Sequence, residues 1–136
     1  MEHLGVCILL FNKKGQLLLG KRKNGYGDGM YGIPGGRVEG KERLIECAKR
    51  ELREETGVKV KALGYTGVIR EFQKDYNFIH FGFVAKDIEE NIENPEPDKC
   101  EGWEWFDIDS LPSDILPGHD GIIHLYQTGG VMAELV

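Results

Sequence analysis

Apolar residues run almost unbroken from Leu4 to Phe11, a density and length that predict a short strand buried on both faces. Asn12-Lys13-Lys14-Gly15 then reads as a hairpin turn, and Gln16 to Lys21 as the strand that pairs back. Asn24 to Gly32 holds four glycines in nine residues and predicts a loop with little order of its own. From Arg43 to Thr56 the apolar spacing becomes helical, and Gly57 supplies a left-handed stop. Val58 to Glu71 and Asn77 to Lys86 then alternate again and predict two strands. In the second of these, Phe78, His80 and Gly82 share one face and Ile79, Phe81 and Phe83 the other. Glu101 to Asp107 predicts a further strand with Trp103 and Trp105 on one side, and His119 to Gln127 a last helix. Val131 to Val136 fits either a final strand or a contact with a second copy.

The first helix breaks the usual rule for charged residues. With Glu51 at zero on an ideal helix, Leu44, Glu55, Ala48, Leu52 and Ile45 all fall within an arc of about 120°. Two carboxylates, Glu51 and Glu55, therefore sit inside the apolar stripe, with Glu54 at its margin. Like charges four residues apart repel, and an unpaired carboxylate turned inward costs several kcal/mol more. A hard divalent cation held by carboxylate oxygens removes both objections, whereas a solvated charged helix would turn these residues outward.

The segment resembles the Nudix box. Gly36 is followed after five residues by Glu42, and after seven more by Arg50-Glu51-Leu52-Arg53-Glu54-Glu55-Thr56-Gly57-Val58. Flanking residues resemble the same family: Ile33-Pro34-Gly35-Gly36 before the box, Gly20-Lys21-Arg22 upstream, and Trp105-Phe106 to Leu111-Pro112 late in the chain. The resemblance implies an α+β fold, an α/β/α sandwich around a central mixed β-sheet, with residues 1–136 forming a single domain. It also implies metal-dependent hydrolysis of a nucleoside diphosphate linked to a group X.

Composition narrows the partners. Forty per cent hydrophobic and 29% charged residues describe an ordinary globule, and no apolar run reaches membrane-spanning length. A net charge of −6 argues against a nucleic-acid polymer as partner but not against a nucleotide, whose countercharge metal ions can carry. The N-terminus lacks the basic leader and cleavage site of a signal peptide. Three cysteines without paired spacing (Cys7, Cys47, Cys100) point to reduced thiols in a cytoplasmic setting.

Glu51 and Glu55 are the leading metal ligands, with Glu54 as a third ligand or as the base that orients water. The resemblance adds the Gly35 carbonyl to the ligands, implies two to three Mg²⁺ or Mn²⁺ ions, and gives Arg22 a contact with phosphate. Arg50 reads as holding a neighbouring carboxylate, and Glu42, on the outer face, as structural. A further acid is expected from a late loop, with Glu101 preferred over Asp98 and Glu96. Tyr26, Met30 and Tyr31 either cover a nucleobase or cap the core, while Phe78 and His80 on the aromatic strand are expected to meet the substrate. Glu46-Cys47-Ala48 inside the box, and Asn77-Phe78 and Pro97-Asp98-Lys99 outside it, resemble triphosphate diphosphatases that act on modified purine nucleotides. That favours a nucleoside triphosphate yielding a monophosphate and pyrophosphate. ADP-ribose, a nucleotide sugar or a dinucleoside polyphosphate (Tyr76 stands where some such hydrolases carry a tyrosine) is the alternative. A nucleotide-sensing module is a third reading, and a homodimer is compatible with all three.

Overall fold

The computed structural model describes residues 1–136. Eight strands and two helices follow in the order β1 (Glu2–Asn12), β2 (Leu17–Arg22), β3 (Tyr31–Gly32), β4 (Gly35–Arg37), α1 (Leu44–Thr56), β5 (Gly64–Phe72), β6 (Asn77–Ile88), β7 (Cys100–Phe106), α2 (Pro117–Thr128) and β8 (Met132–Leu135). They build one mixed sheet with the strand path β3-β2-β1-β6-β5-β8. The expected α/β/α sandwich is what the chain forms.

The apolar run in β1 explains the layering. Alternate residues point to opposite faces, so Val6, Ile8 and Leu10 enter a core beneath α1, whose Cys47, Ala48 and Leu52 they meet. Cys7, Leu9 and Phe11 enter a second core with Ile122, Ile123 and Leu125 of α2. β1 runs parallel to β6, from Glu2↔Asn77 to Asn12↔Ile88. On its other edge the sheet forks. β2 meets β1 at Phe11↔Leu17 and then continues along β7, whereas β4 takes the early part of β1, from Gly5↔Arg37 to Cys7↔Gly35. The glycine strand β4 therefore enters where β1 and β2 part.

One expected element changes, and one takes the first of its two expected forms. The strand expected from Val58 begins only at Gly64. Val58 and Leu63 are buried and Val60 packs on the α1-side core, so Val58 to Leu63 is an irregular connection pinned by apolar side chains. Alternation there records attachment to a core and not pairing with a strand. The tail forms β8, parallel to β5 at the sheet edge, from Val68↔Met132 to Glu71↔Leu135. Neither helix is long and apolar enough to cross a membrane.

Candidate active site

Helix α1 is capped at its start by Arg43, whose backbone N–H donates to the Glu46 carboxylate at 3.1 Å, and at its end by Gly57 with φ of 77°. Its buried residues Cys47, Ala48 and Leu52 fix the helix rotation, and that rotation turns Glu51 and Glu55 toward β4. A side chain on Gly36 would lie 2.3 Å from the Glu51 carboxyl carbon, so glycine there leaves the space the Glu51 carboxylate occupies. Gly35 N–H donates to Glu55 Oε1 at 2.9 Å. From the far side, Trp103 Nε1–H donates to the Glu55 carbonyl at 3.0 Å.

Arg50 gathers the remaining acids. Its Nε donates to Glu42 Oε2 at 2.6 Å, and its Nη1 donates to Glu51 Oε1 at 2.8 Å and Glu54 Oε1 at 2.9 Å. Glu42 is not the exposed outer-face residue the helical pattern suggests. It is largely covered by Arg50, whose hydrogen bonds hold its carboxyl down at about 2. Burial pushes Glu51 above the usual carboxylate range against the pull of Arg50. Glu55 touches no cation, and burial pushes it up to about 8, with the Glu51 and Glu96 charges adding to the effect.

Glu51, Glu54, Glu55 and Glu96 line an open cleft of about 450 Å³ together with Glu39, Arg22 and Lys99. Its donors toward a cation include carboxylate oxygens, which hard divalent ions take. Arg50 is already committed to Glu42, Glu51 and Glu54, which leaves the Glu55 charge without a partner. The residues present fit Mg²⁺ or Mn²⁺.

A second cavity of about 210 Å³ adjoins the cleft and shares Arg22, Tyr26, Gly35 and Gly36 with it. It lies on the α2 side of the sheet. Phe78 stacks on His80 at 4.5 Å, and His80 Nε2 lies 2.9 Å from Glu71 Oε1. His119, Tyr76 and Gln73 complete it, and Gln73 Nε2 donates to the Tyr26 hydroxyl at 3.2 Å across its mouth.

The structure thus brings Gly35, Arg50, Glu51, Glu54, Glu55 and Arg22 to one cleft and Phe78 and His80 to its neighbour. It does not bring Glu101 there. That residue lies on β7, about half-exposed, with its carboxylate 4.0 Å from Lys21 Nζ. Glu96, in the loop before β7, lines the cleft instead, since β7 has already started by residue 101. Two flanking prolines in Asn94-Pro95-Glu96-Pro97 are the sequence sign of a turn that presents this acid. Tyr31 also departs from expectation. It packs against the α2-side core, edge-on to Phe106 at 5.6 Å, while Tyr26 from the same loop lines both cavities. Sequence reasoning missed Glu71 and His119 altogether.

His119 is buried and its Nδ1 accepts the Ile33 N–H at 3.0 Å. Burial pushes its pKa down to about 3, so the unfolded chain binds a proton below about 6.5 that the folded chain refuses. Stability from this group is complete above pH 6.5 and declines as pH falls toward 3. His119→Asn should remove up to about 2 kcal/mol of the stability loss between pH 6.5 and 5. Melting curves at pH 7 and pH 5 test this; equal acid-side losses in both proteins would assign the sensitivity to other groups.

Fold and cleft together place a cluster of carboxylates on one helix against a glycine strand at an open cavity. Residues 1–126 match the model of the NUDIX domain, and the chain belongs to the Nudix hydrolase family. It is 36% identical over 118 residues to an NAD-capped RNA hydrolase NudC of Chromobacterium violaceum, which covers 85% of this chain but 42% of that protein. It is 35% identical over 108 residues to an oxidized purine nucleoside triphosphate hydrolase of Danio rerio, covering 79% of this chain and 68% of that one. The chain thus spans less than half the length of the first of these and about two thirds of the second. A crystal structure of a MutT NUDIX hydrolase from Burkholderia pseudomallei superimposes with a TM-score of 0.85 at 24% identity, over 92% of this chain and 98% of that one.

Proposed function

We propose that this protein hydrolyses the pyrophosphate link of a nucleoside triphosphate, or of a modified one, to a nucleoside monophosphate and pyrophosphate. The observation that carries the reading is the pair of adjoining cavities: a carboxylate cleft and an aromatic-lined pocket that share Arg22. Such a pair suits a ligand with a polyphosphate at one end and a planar base at the other.

Glu51, Glu54, Glu55, Glu96 and the Gly35 carbonyl would hold two or three Mg²⁺ or Mn²⁺ ions. When bound, such ions supply countercharge for the polyphosphate and lower the pKa of an attacking water. The protein's own residues do the rest. Glu54, exposed at the rim and oriented by Arg50, is placed to accept a proton from water. Arg50 fixes the directions of Glu51 and Glu54, and Arg22 meets phosphate oxygens where the two cavities join. Arg22 also donates through Nε to the Tyr26 carbonyl at 3.0 Å, which ties the glycine-rich loop to the same junction. Arg22→Ala should raise KM for the triphosphate about tenfold, the loss of one charge-assisted hydrogen bond. Unchanged KM and kcat would make Arg22 no more than a solvated strand end.

A second reading keeps the chemistry and changes the substrate. Relatedness to an NAD-capped RNA hydrolase favours an ADP-ribose-like dinucleotide end in place of a triphosphate. Product analysis with Mg²⁺ separates the two. Pyrophosphate released from one triphosphate supports the proposal. Turnover confined to ADP-ribose, a nucleotide sugar, NAD or diadenosine tetraphosphate supports the alternative, and no turnover on any of them overturns the enzymatic reading.

A further inference from the structure

Of the four acids assigned to the metal ions, three are aimed by a hydrogen bond: Glu51 and Glu54 by Arg50, and Glu55 by the Gly35 N–H. The Glu96 carboxylate has no such donor. Its one partner, Lys99 Nζ at 3.6 Å, belongs to the same turn and is 68% exposed, a pair too open to fix a direction. Yet Glu96 lies close enough for its charge to act on both Glu51 and Glu55. What aims it is the backbone that carries it.

That backbone is a tight turn. The Glu96 carbonyl accepts the Lys99 N–H at 3.0 Å and the Cys100 N–H at 3.2 Å, and Pro95 and Pro97 restrict φ on either side. Asn94 closes it from within the same segment, its Nδ2 donating to the Cys100 carbonyl at 2.9 Å. Two donors reach the turn from outside, both from residues that follow β2. Lys23 N–H donates to the Lys99 carbonyl at 3.0 Å, which extends the β2–β7 pairing by main chain alone. Asn24 Nδ2 donates to the Asp98 carbonyl at 3.0 Å. Asn24 is thus the side chain that ties the turn of Glu96 to the glycine-rich loop.

The placement of Asn24 is itself specified. Its φ of 56° is a left-handed value that asparagine adopts more readily than most residues. Its N–H donates to Asp28 Oδ1 at 2.8 Å, which closes the loop on itself and fixes where the amide points. We propose that Asn24 is a positioning residue for Glu96: its amide holds the turn so that the Glu96 carboxylate stands toward Glu51 and Glu55, where one divalent cation can be shared. The inference rests on the metal assignment given above. Without the amide, Lys23 still holds the Lys99 end of the turn, but the Asp98 carbonyl is released. Part of the metal's binding free energy must then go into ordering the turn.

The test is Mn²⁺ binding to the resting protein, followed by electron paramagnetic resonance of the free ion, beside the Mg²⁺ dependence of turnover. Asn24→Gly keeps the left-handed backbone and removes the amide. It should weaken Mn²⁺ binding about fivefold, the effect of one hydrogen bond. The Mg²⁺ needed for half-maximal turnover should rise by a similar factor, with parental kcat once Mg²⁺ saturates. Glu96→Gln alone should weaken Mn²⁺ binding at least about tenfold. The deciding comparison is the double variant: if Asn24 acts through Glu96, adding Asn24→Gly to Glu96→Gln weakens binding no further. A second fivefold loss there would show that Asn24 works by another route and overturn the proposal, as would parental Mn²⁺ binding by Asn24→Gly. Parental binding by Glu96→Gln would overturn it together with the metal assignment of Glu96. The expected pattern of Mn²⁺ binding without turnover of any nucleotide would refute the enzymatic reading and leave the role of Asn24 standing.

Discussion

Glu55→Gln is expected to lower turnover by about three orders of magnitude at saturating Mg²⁺, a loss of about 4 kcal/mol of transition-state stabilisation. Glutamine keeps the size of the side chain and an oxygen to accept the Gly35 N–H, so the backbone around β4 should not move. What it removes is the one cleft carboxylate that no arginine or lysine neutralises. In a chelator above about pH 8, where Glu55 is ionised, the variant should be at least as stable as the parent, because the cost of an unpaired buried charge is gone. Thermal melts with and without Mg²⁺ add a second readout: Mg²⁺ should raise the melting temperature of the parent clearly more than that of the variant. An unchanged rate at saturating Mg²⁺ would remove Glu55 from the metal site.

Arg50→Met should damage both stability and activity. The guanidinium is 20% exposed and sits among Glu42 and Glu51, each 16% exposed, and the more open Glu54. Methionine fills much of the same space but leaves three carboxylates facing one another. Because Glu54 and part of the arginine reach solvent, the expected destabilisation is about 2 kcal/mol, less than a fully buried broken pair would cost. Turnover should fall about a hundredfold, because Glu51 and Glu54 lose the group that orients them. Since metal ions can replace part of the lost positive charge, added Mg²⁺ should restore more stability to this variant than to the parent. A variant with parental turnover and only a lower melting temperature would confine Arg50 to holding the helix start through Glu42.

The fold was legible wherever side-chain period and packing coincide. β1 reads as a doubly buried strand because both of its faces do meet apolar cores, and α1 reads as a helix with misplaced acids because Glu51 and Glu55 do turn inward. The segment from Val58 to Leu63 misled for the converse reason: its alternation serves one core contact without a neighbouring strand. The sequence offers Glu101, Asp98 and Glu96 as the late acid, yet what decides between Glu96 and Glu101 is where β7 begins, a matter of pairing with β2. Tyr31 and Tyr26 belong to one glycine-rich loop, and only the register of β3 with β2 shows which ring turns to the core. Glu71 and His119 were invisible for a different reason. Each looks ordinary in its own element, an alternating polar strand residue and a helix-start histidine, and they meet only once β5 and α2 pack together.

The fork at β1 bears on how this protein can change. The carboxylate cleft is furnished by α1, β4 and the loop before β7, and the neighbouring cavity by β5, β6 and the start of α2. Arg22, Tyr26, Gly35 and Gly36 are the residues common to both. Randomised libraries confined to β5, β6 and the α2 start would therefore sample new ligands against an intact cutting apparatus. The same partition gives a gene duplicate a short route to a different diet: its pocket can drift while its scissors stay sharp.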